Sequence, residues 1–344
     1  MMRKILIVGK IPPPIGGVTV HISRLVRGLK EKKFTRFSFC DLERDQWFVI
    51  ILKIVRHQVI HLHLSKPYQQ LIFALFCKIF AKKLIITYHG NWGRYGIFGN
   101  WMVSMSAWLA SVPVVQNAGS FQKAIFLNKN ARRISTFISS ADVPELSEQQ
   151  LFVLTTFIKS YQIILCTNAW NLAFDRNGSE TYGISDIIRR VKSEPDVALI
   201  ISDPSKNYEK YMKSTFENVP SNVLFVTYAH DFRCILRISD AFIRNTTTDG
   251  VSLSIHEAME ANVPIFASDS VERPAFCWLF RDIMKVDFRD AIVLAGNLLD
   301  REAPQMIYAD PVDDLISLYN LYLDKKYLDK NEVCDVNCPK KTKA

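Results

Sequence analysis

Residues 4–29 read KILIVGKIPPPIGGVTVHISRLVRGL. The run KILIV is apolar and closes on Gly9, the pattern of a short buried parallel strand. A Pro/Gly loop, Ile11 to Gly17, follows it, and Val18 to Leu29 then carries apolar residues at helical spacing. Strand, glycine loop and helix in that order open an α/β domain. The paired Gly16 and Gly17 let backbone N–H groups come close to a ligand at a helix N-terminus, where the helix dipole favours negative charge. A tight turn with no ligand explains the same residues. The loop is not GxGxxG and no acid is evident at the end of a second strand, so a dinucleotide cofactor is not expected.

The same alternation continues outward. Apolar runs at 59–64 (VIHLHL), 84–88 (LIITY) and 112–115 (VPVV) are separated by helix-like stretches, which implies βαβ units and a parallel sheet. The polar stretch SSADVPELSE, residues 139–148, marks the approach to a linker. A second series begins with QIILC at 162–166, a helix over 184–192 and VALII at 197–201. It runs on through VLFV at 223–226, AFI at 241–243, a helix over 254–261 and PIFA at 264–267. Two Rossmann-like domains account for this, over residues 1–155 and 156–308. A terminal helix is expected within 309–330 and a solvated basic tail over 331–344. No short-period repeat suggests a solenoid.

At 344 residues the chain is long enough for two cores. Its 49% hydrophobic and 22% charged residues fit a globular protein and exclude disorder as the main state. The net charge of +9 is unevenly spread. Residues 1–160 hold 22 Lys and Arg against 7 Asp and Glu, a net +15, while the rest hold 21 against 27, a net −6. An anionic partner for the first half, such as a membrane surface or a phosphorylated lipid, would explain the excess, as would an inert basic surface. Nucleic acid is not expected, because no recognition helix or interleaved aromatic-and-basic motif stands out. The seven cysteines are scattered and mostly in apolar stretches. Cys334 and Cys338 lack the further ligands a zinc site needs, and the pattern fits a reducing cytoplasm. No apolar stretch reaches the length that spans a bilayer, and Leu71–Thr87 is broken by Lys78, Lys82 and Lys83. Any membrane contact would therefore be peripheral.

The chemistry-bearing stretch is RNTTTDGVSLSIHEAM, Arg244 to Met259. It leaves a strand end, turns through a polar loop and enters a helix for which Ser252 or Ser254 is a plausible N-cap. The exposed N–H groups of such a first turn suit a diphosphate. Asp249 before the helix and Glu257 within it can converge on one ligand, and carboxylates are good acceptors for paired sugar hydroxyls. Glu257 could instead solvate a helix face, but its neighbours Ala258 and Met259 are core types. His89 follows the strand at 84–88, at the sheet edge that faces the ligand crevice in open α/β folds. There it could bond a sugar hydroxyl or help position the reacting centre. His61 and His63 share one strand face, His61 reading as a core histidine and His63, nearer the strand end, as either.

Asp249-x7-Glu257-Ala258-Met259, followed by Val263 to Asp269 (VPIFASD), resembles the E-x7-E signature of family 4 glycosyltransferases of the GT-B fold. Gly16-Gly17, His21 and Thr87-Tyr88-His89 extend the resemblance along most of the chain. It implies two Rossmann-like domains facing each other across a cleft, with a last helix packed back across the first. It also implies retaining transfer of a hexose from a nucleotide-diphosphate sugar. By the resemblance Asp249 contacts the donor sugar, Glu257 the ribose, and Gly250, Val251, Ser252 and Leu253 between them meet the diphosphate. Gly17, with Gly16, approaches the diphosphate, and His89 contacts the donor sugar.

The chain departs from the family pattern in three places. Asp249 is one methylene shorter than the usual Glu. The usual Gly-Arg after the first strand of the second domain is absent from Cys166-Thr167-Asn168, and the usual Lys-Gly reads Tyr182-Gly183. Another cation must then neutralise the diphosphate, with Arg244 and Arg176 the first candidates and Arg273 next. No metal or cofactor is expected, because no Asp-x-Asp cluster is present. The acceptor would be a glycan or a lipid-linked saccharide, as in surface polysaccharide biosynthesis. The Leu71–Lys83 stretch, read as a helix with apolar and lysine faces, suits an acceptor held at the inner face of a membrane. A nucleotide-sugar epimerase or hydrolase on the same scaffold, or a non-catalytic nucleotide- or glycan-binding protein, would show the same residues.

Overall fold

The computed structural model describes residues 4–140, 143–175, 177–215, 218–305 and 310–324. In chain order it begins β1 (Ile5–Gly9), α1 (Gly17–Glu31), β2 (Phe37–Asp41), α2 (Trp47–Arg56), β3 (Val59–Leu62) and α3 (Pro67–Ile79). It continues with β4 (Lys83–Thr87), α4 (Ile97–Leu109), β5 (Val112–Val115), α5 (Ala118–Leu127), β6 (Arg132–Arg133) and α6 (Glu148–Ile158). Next come β7 (Ile163–Asn168), α7 (Ile184–Lys192), β8 (Val197–Ser202), α8 (Asn207–Thr215), β9 (Val223–Val226) and α9 (Arg233–Leu236). The last elements are β10 (Ala241–Arg244), α10 (Leu253–Glu260), β11 (Ile265–Ser268), β12 (Trp278–Phe280), α11 (Phe288–Glu302) and α12 (Pro311–Leu323).

The described residues fall into two compact units. One holds the chain up to Lys10, Leu25–Ser135 and the segment from Asp310; the other holds Ile11–Arg24 and Thr136 onward to α11. The division expected at 155/156 therefore comes some twenty residues earlier. Packing explains it. Leu154 of α6 is buried among Ile164, Cys166 and Phe242, and Pro144 accepts a hydrogen bond from the Cys234 thiol at 3.1 Å. The Pro/Gly loop and first turns of α1 also group with the second unit rather than the first.

The first unit is built on a parallel sheet of order β2-β1-β3-β4-β5-β6. Chain direction across it reverses once, between β1 and β3. Right-handed crossovers then place α1 on one face and α2 to α5 on the other. Side chains agree: Leu6, Val8, Ile60 and Leu62 face a core completed by Ile54, Cys77 and Val103. The other face carries His61, fully buried and bonded to Tyr319 Oη and Thr87 Oγ1 at 2.7 Å each. It is a satisfied core histidine, tying α12 to β3. Lys32 and Arg36 pair with Asp313 and Asp324 of that segment.

The second unit carries a parallel sheet of order β12-β11-β10-β7-β8-β9. Its apolar runs are buried on both faces, as parallel strands are. Three strands went unread in the sequence: β2, the two-residue β6 and β12. β2 (FSFCD) is a half-buried edge strand, and β12 is three residues long. The first of these corrects the reading of the opening motif, since Asp41 is a buried acid at the end of a second strand. It serves the local turn, accepting from Glu43 N at 2.9 Å. The helix expected through Lys83 ends at Ile79. Lys82 leaves it to donate to the Val55 and His57 carbonyls, and Lys83 opens β4. The 331–344 tail, with Cys334 and Cys338, lies outside the described residues. The five described cysteines are free thiols, four of them buried.

Candidate functional site

Strand order in the second sheet reverses between β7 and β10, which are adjacent. In open α/β sheets the crevice outside the carboxyl ends of two such strands is where ligands bind. The residues that end them are Asn168 and Arg244. Arg244 Nη1 donates to Asn168 Oδ1 at 3.1 Å, closing the two strand ends on one another.

Three charged side chains meet beyond that edge. Arg244 Nε donates to Asp249 Oδ2 at 2.8 Å, and Arg273 Nη1 donates to the same oxygen at 3.1 Å. Arg273 also donates to Thr246 Oγ1 at 2.6 Å and to the Ser268 carbonyl at 3.2 Å, which fixes its plane. The side chains of all three are nearly buried, Arg273 to 2% exposure. Burial pushes the Asp249 carboxyl up, but the Arg244 and Arg273 guanidiniums outweigh it and hold it below its ordinary value. Arg273 is pulled below its own ordinary value by burial, with the like charge of Arg244 acting in the same direction. Among the described residues, two guanidiniums around one carboxylate leave one positive charge in excess at the strand edge. Arg244 is thus already engaged by Asp249, and among the described residues the cation the site can offer an anion belongs to the pair with Arg273. Arg176, the other cation expected here, lies outside the described residues.

The loop from β10 is held against the start of α7. Thr247 N donates to the Thr181 carbonyl at 3.0 Å, and Asn245 Nδ2 to the Gly183 carbonyl at 3.1 Å. Tyr182, standing where the resemblance expects a lysine, places its ring 5.1 Å from the Arg244 guanidinium carbon. A guanidinium at that distance is attracted to the ring face. Where the resemblance expects a lysine there is thus an aromatic ring, and a positive charge reaches it from Arg244 at the end of β10.

Gly250 and Val251 complete the turn into α10, whose N-cap position is Ser252. The Ser252 side chain makes no capping hydrogen bond to the helix; its hydroxyl meets that of Ser254 at 3.1 Å. Ser252 therefore occupies the N-cap position the sequence suggested, without a side-chain capping bond. Leu253, the first helical residue, meets the glycine loop: a Cβ on Gly17 would lie 4.0 Å from Leu253 Cδ1, and one on Gly16 3.9 Å from Trp170. Gly17 therefore stands beside the first residue of α10, and Gly16 beside the loop that follows β7.

Glu257 stands apart from the Arg244–Asp249–Arg273 cluster. It is buried, not solvating a helix face, and its carboxylate pairs with Arg24 of α1. Burial raises its pKa, and the Arg24 charge offsets part of that. Arg24 also donates to the Ile138 carbonyl at 3.3 Å. Asp249 and Glu257 therefore have separate arginine partners. No sequence signal pointed to Arg24, which stands 233 positions from Glu257. His21, one turn earlier, donates Nδ1–H to the Thr136 carbonyl at 2.7 Å, and burial holds it down to about 4, so it is neutral.

His89 belongs to the first unit and follows β4, as read. Its Nε2 lies 3.2 Å from His63 Nδ1, and the His61 and His63 ring centroids are 4.1 Å apart with the planes tilted by 47°. One nitrogen of that His63–His89 contact must be the donor, so at least one proton is shared along a histidine row at the β3 and β4 ends.

The family described as "Glycosyl transferases group 1" matches residues 173–275, the stretch that holds Arg244, Asp249, Glu257 and Arg273. No curated protein matches the chain in sequence. Among solved structures, Anabaena Alr3699/HepE in complex with UDP-glucose is 13% identical, covering 93% of this chain and 99% of that one with a TM-score of 0.65. WaaG, a glycosyltransferase involved in lipopolysaccharide biosynthesis, is 10% identical over 92% and 99% with a TM-score of 0.64. A UDP-forming α,α-trehalose-phosphate synthase from Burkholderia xenovorans, in complex with glucose-6-phosphate, is 10% identical over 92% and 100% with a TM-score of 0.60. The chain has the GT-B fold, and its residues 173–275 are similar to group 1 glycosyl transferases.

Proposed function

We propose that the protein transfers a hexose from a nucleotide-diphosphate sugar, with retention of configuration, in the manner of family 4 glycosyltransferases. The observation that carries this reading is the Arg244–Asp249–Arg273 cluster at the β7/β10 edge. Its excess positive charge stands beside the loop that leads to the α10 N-terminus, and both would stabilise negative charge developing on a departing diphosphate. Fixed cations and helix N–H groups supply that stabilisation from the chain itself, and we propose no role for a metal or cofactor. Asp249 would take donor-sugar hydroxyls. Glu257 would take the ribose, its carboxylate having acceptor sites beyond the one Arg24 uses. His89 would position the sugar. The complexes of HepE with UDP and UDP-glucose and the activity named for WaaG favour a sugar nucleotide as donor. The acceptor would be a glycan or lipid-linked saccharide of surface polysaccharide biosynthesis, reached from the cytoplasmic side.

A thermal-shift series across nucleotide sugars tests the donor. A ligand that binds only the folded chain raises the melting temperature by mass action, and the expected pattern is a rise with one nucleotide-diphosphate sugar and none with its nucleoside. Product analysis with and without saccharide acceptor then separates transfer from hydrolysis or epimerisation. Sugar released equally in both would contradict transfer.

A further inference from the structure

Helices α2, α3 and α4 lie on one face of the first sheet, and each carries a second apolar stripe besides the one it buries. On α3, Tyr68, Ile72, Leu75 and Ile79 recur at helical spacing and are 45 to 75% exposed. On α4, Ile97, Trp101 and Trp108 fall on one side with Phe98 beside them, all more than half exposed. On α2, Trp47, Ile51 and Val55 do the same. The inward sides of these helices are already satisfied by Ile54, Ala74, Cys77, Val103 and Ala107 in the core. Exposed apolar stripes on three consecutive helices form a surface that soluble monomers rarely leave bare.

Charge says what covers it. Residues 46–141 contain no Asp or Glu and eleven Lys and Arg. Lys53 is spent on Asp45 and Lys82 on backbone carbonyls. Arg56, Lys66, Lys78, Lys83, Arg94 and Lys123 are exposed. A second copy seated symmetrically on this face would set these cations against themselves. Nucleic acid would use the cations but not the Ile, Leu and Phe side chains. An anionic bilayer uses both: aromatic and aliphatic side chains enter the acyl boundary while long basic side chains reach the headgroup phosphates. No helix among the described residues is long and apolar enough to cross a membrane, so the contact is interfacial.

We infer that the α2–α3–α4 face of the first unit docks on an anionic lipid surface, with Trp47, Trp101 and Trp108 among its anchors. This extends the membrane-side acceptor proposed above, yet rests on the first unit alone. Flotation of the full chain with phosphatidylcholine vesicles, with and without phosphatidylglycerol, is the test. Binding is expected to need phosphatidylglycerol and to weaken with added salt. Replacing Lys66, Lys78 and Lys83 together by Gln should lower partitioning on the order of a hundredfold. Replacing Ile79, Phe98 and Trp101 by Ser should also release the chain from vesicles. All three are exposed, so the melting temperature should hold. Three results would overturn the inference: no flotation with anionic vesicles at low salt, flotation that neither triple variant reduces, or a dimer by light scattering that the Ser variant dissociates. No nucleotide enters the assay, so failure here leaves the donor site standing, and a failed donor titration leaves this surface standing.

Discussion

At the scale of single residues, Asp249 accepts from Arg244 and Arg273 through one oxygen, and the excess positive charge follows from counting groups. Spacing in the sequence picked out Asp249, Glu257 and Arg244. It could not show that Arg244 is held by its own neighbour, nor find Arg24, because contacts between distant positions are set by how strands stack and not by local pattern. Histidine protonation gives a prediction at this scale. His21 and His256 are both held down to about 4: burial is the largest cause at each, and at His21 it outweighs the bond to the Thr136 carbonyl. In the unfolded chain an imidazole takes its proton near 6.5, so the folded-state value is the lower one. The stability that these neutral rings contribute is then full above about pH 6.5 and is lost as pH falls toward 4. The loss is on the order of 3 kcal/mol per histidine. Urea denaturation should therefore give a clearly lower stability at pH 4.5 than at pH 7. His256→Leu should shrink that difference, whatever it does to stability at pH 7; an unchanged difference would contradict it.

At the scale of elements, the join between α7 and the β10 loop positions the cluster. Gly183, at the α7 N-cap, has a left-handed φ of 53°, and a Cβ there would lie 2.8 Å from the Asn245 carbonyl oxygen. Both facts require glycine. Gly183→Ala should destabilise the second unit by about 1–3 kcal/mol and weaken donor binding through the displaced Asn245–Arg244 segment; a variant as stable as the parent in urea would contradict this. Long apolar strands such as β7 and β8 were legible because both faces are buried, leaving continuous runs. β2 was not, since its Phe37 and Phe39 are only half-buried and Ser38 and Asp41 break the apolar run. Helix ends were less legible than helix existence. The α3 lysines looked like part of a helix, whereas Lys82 turns back to cap carbonyls of the α2–β3 connection.

At the scale of the whole molecule, two parallel sheets in series were legible as two series of short apolar runs. The place of the division was not. Residues 139–148 read as the approach to a linker, but the chain on either side of them packs with the second unit, through Phe137 stacked on His256 at 4.9 Å and through Leu154. Charge follows much the same organisation: residues 46–135 of the first unit hold no Asp or Glu, and the buried Arg–Asp cluster belongs to the second. The central claim is that this cluster holds the diphosphate of a sugar nucleotide, and isothermal titration of a nucleoside diphosphate into the full chain tests it most directly. Saturable binding is expected for the parent, none for the bare nucleoside. Arg244→Gln should bind about tenfold to a hundredfold more weakly, the loss of one charge-assisted contact, with its fold verified by circular dichroism. Equal affinity of parent and Arg244→Gln, or equal binding of nucleoside and diphosphate, would contradict the claim.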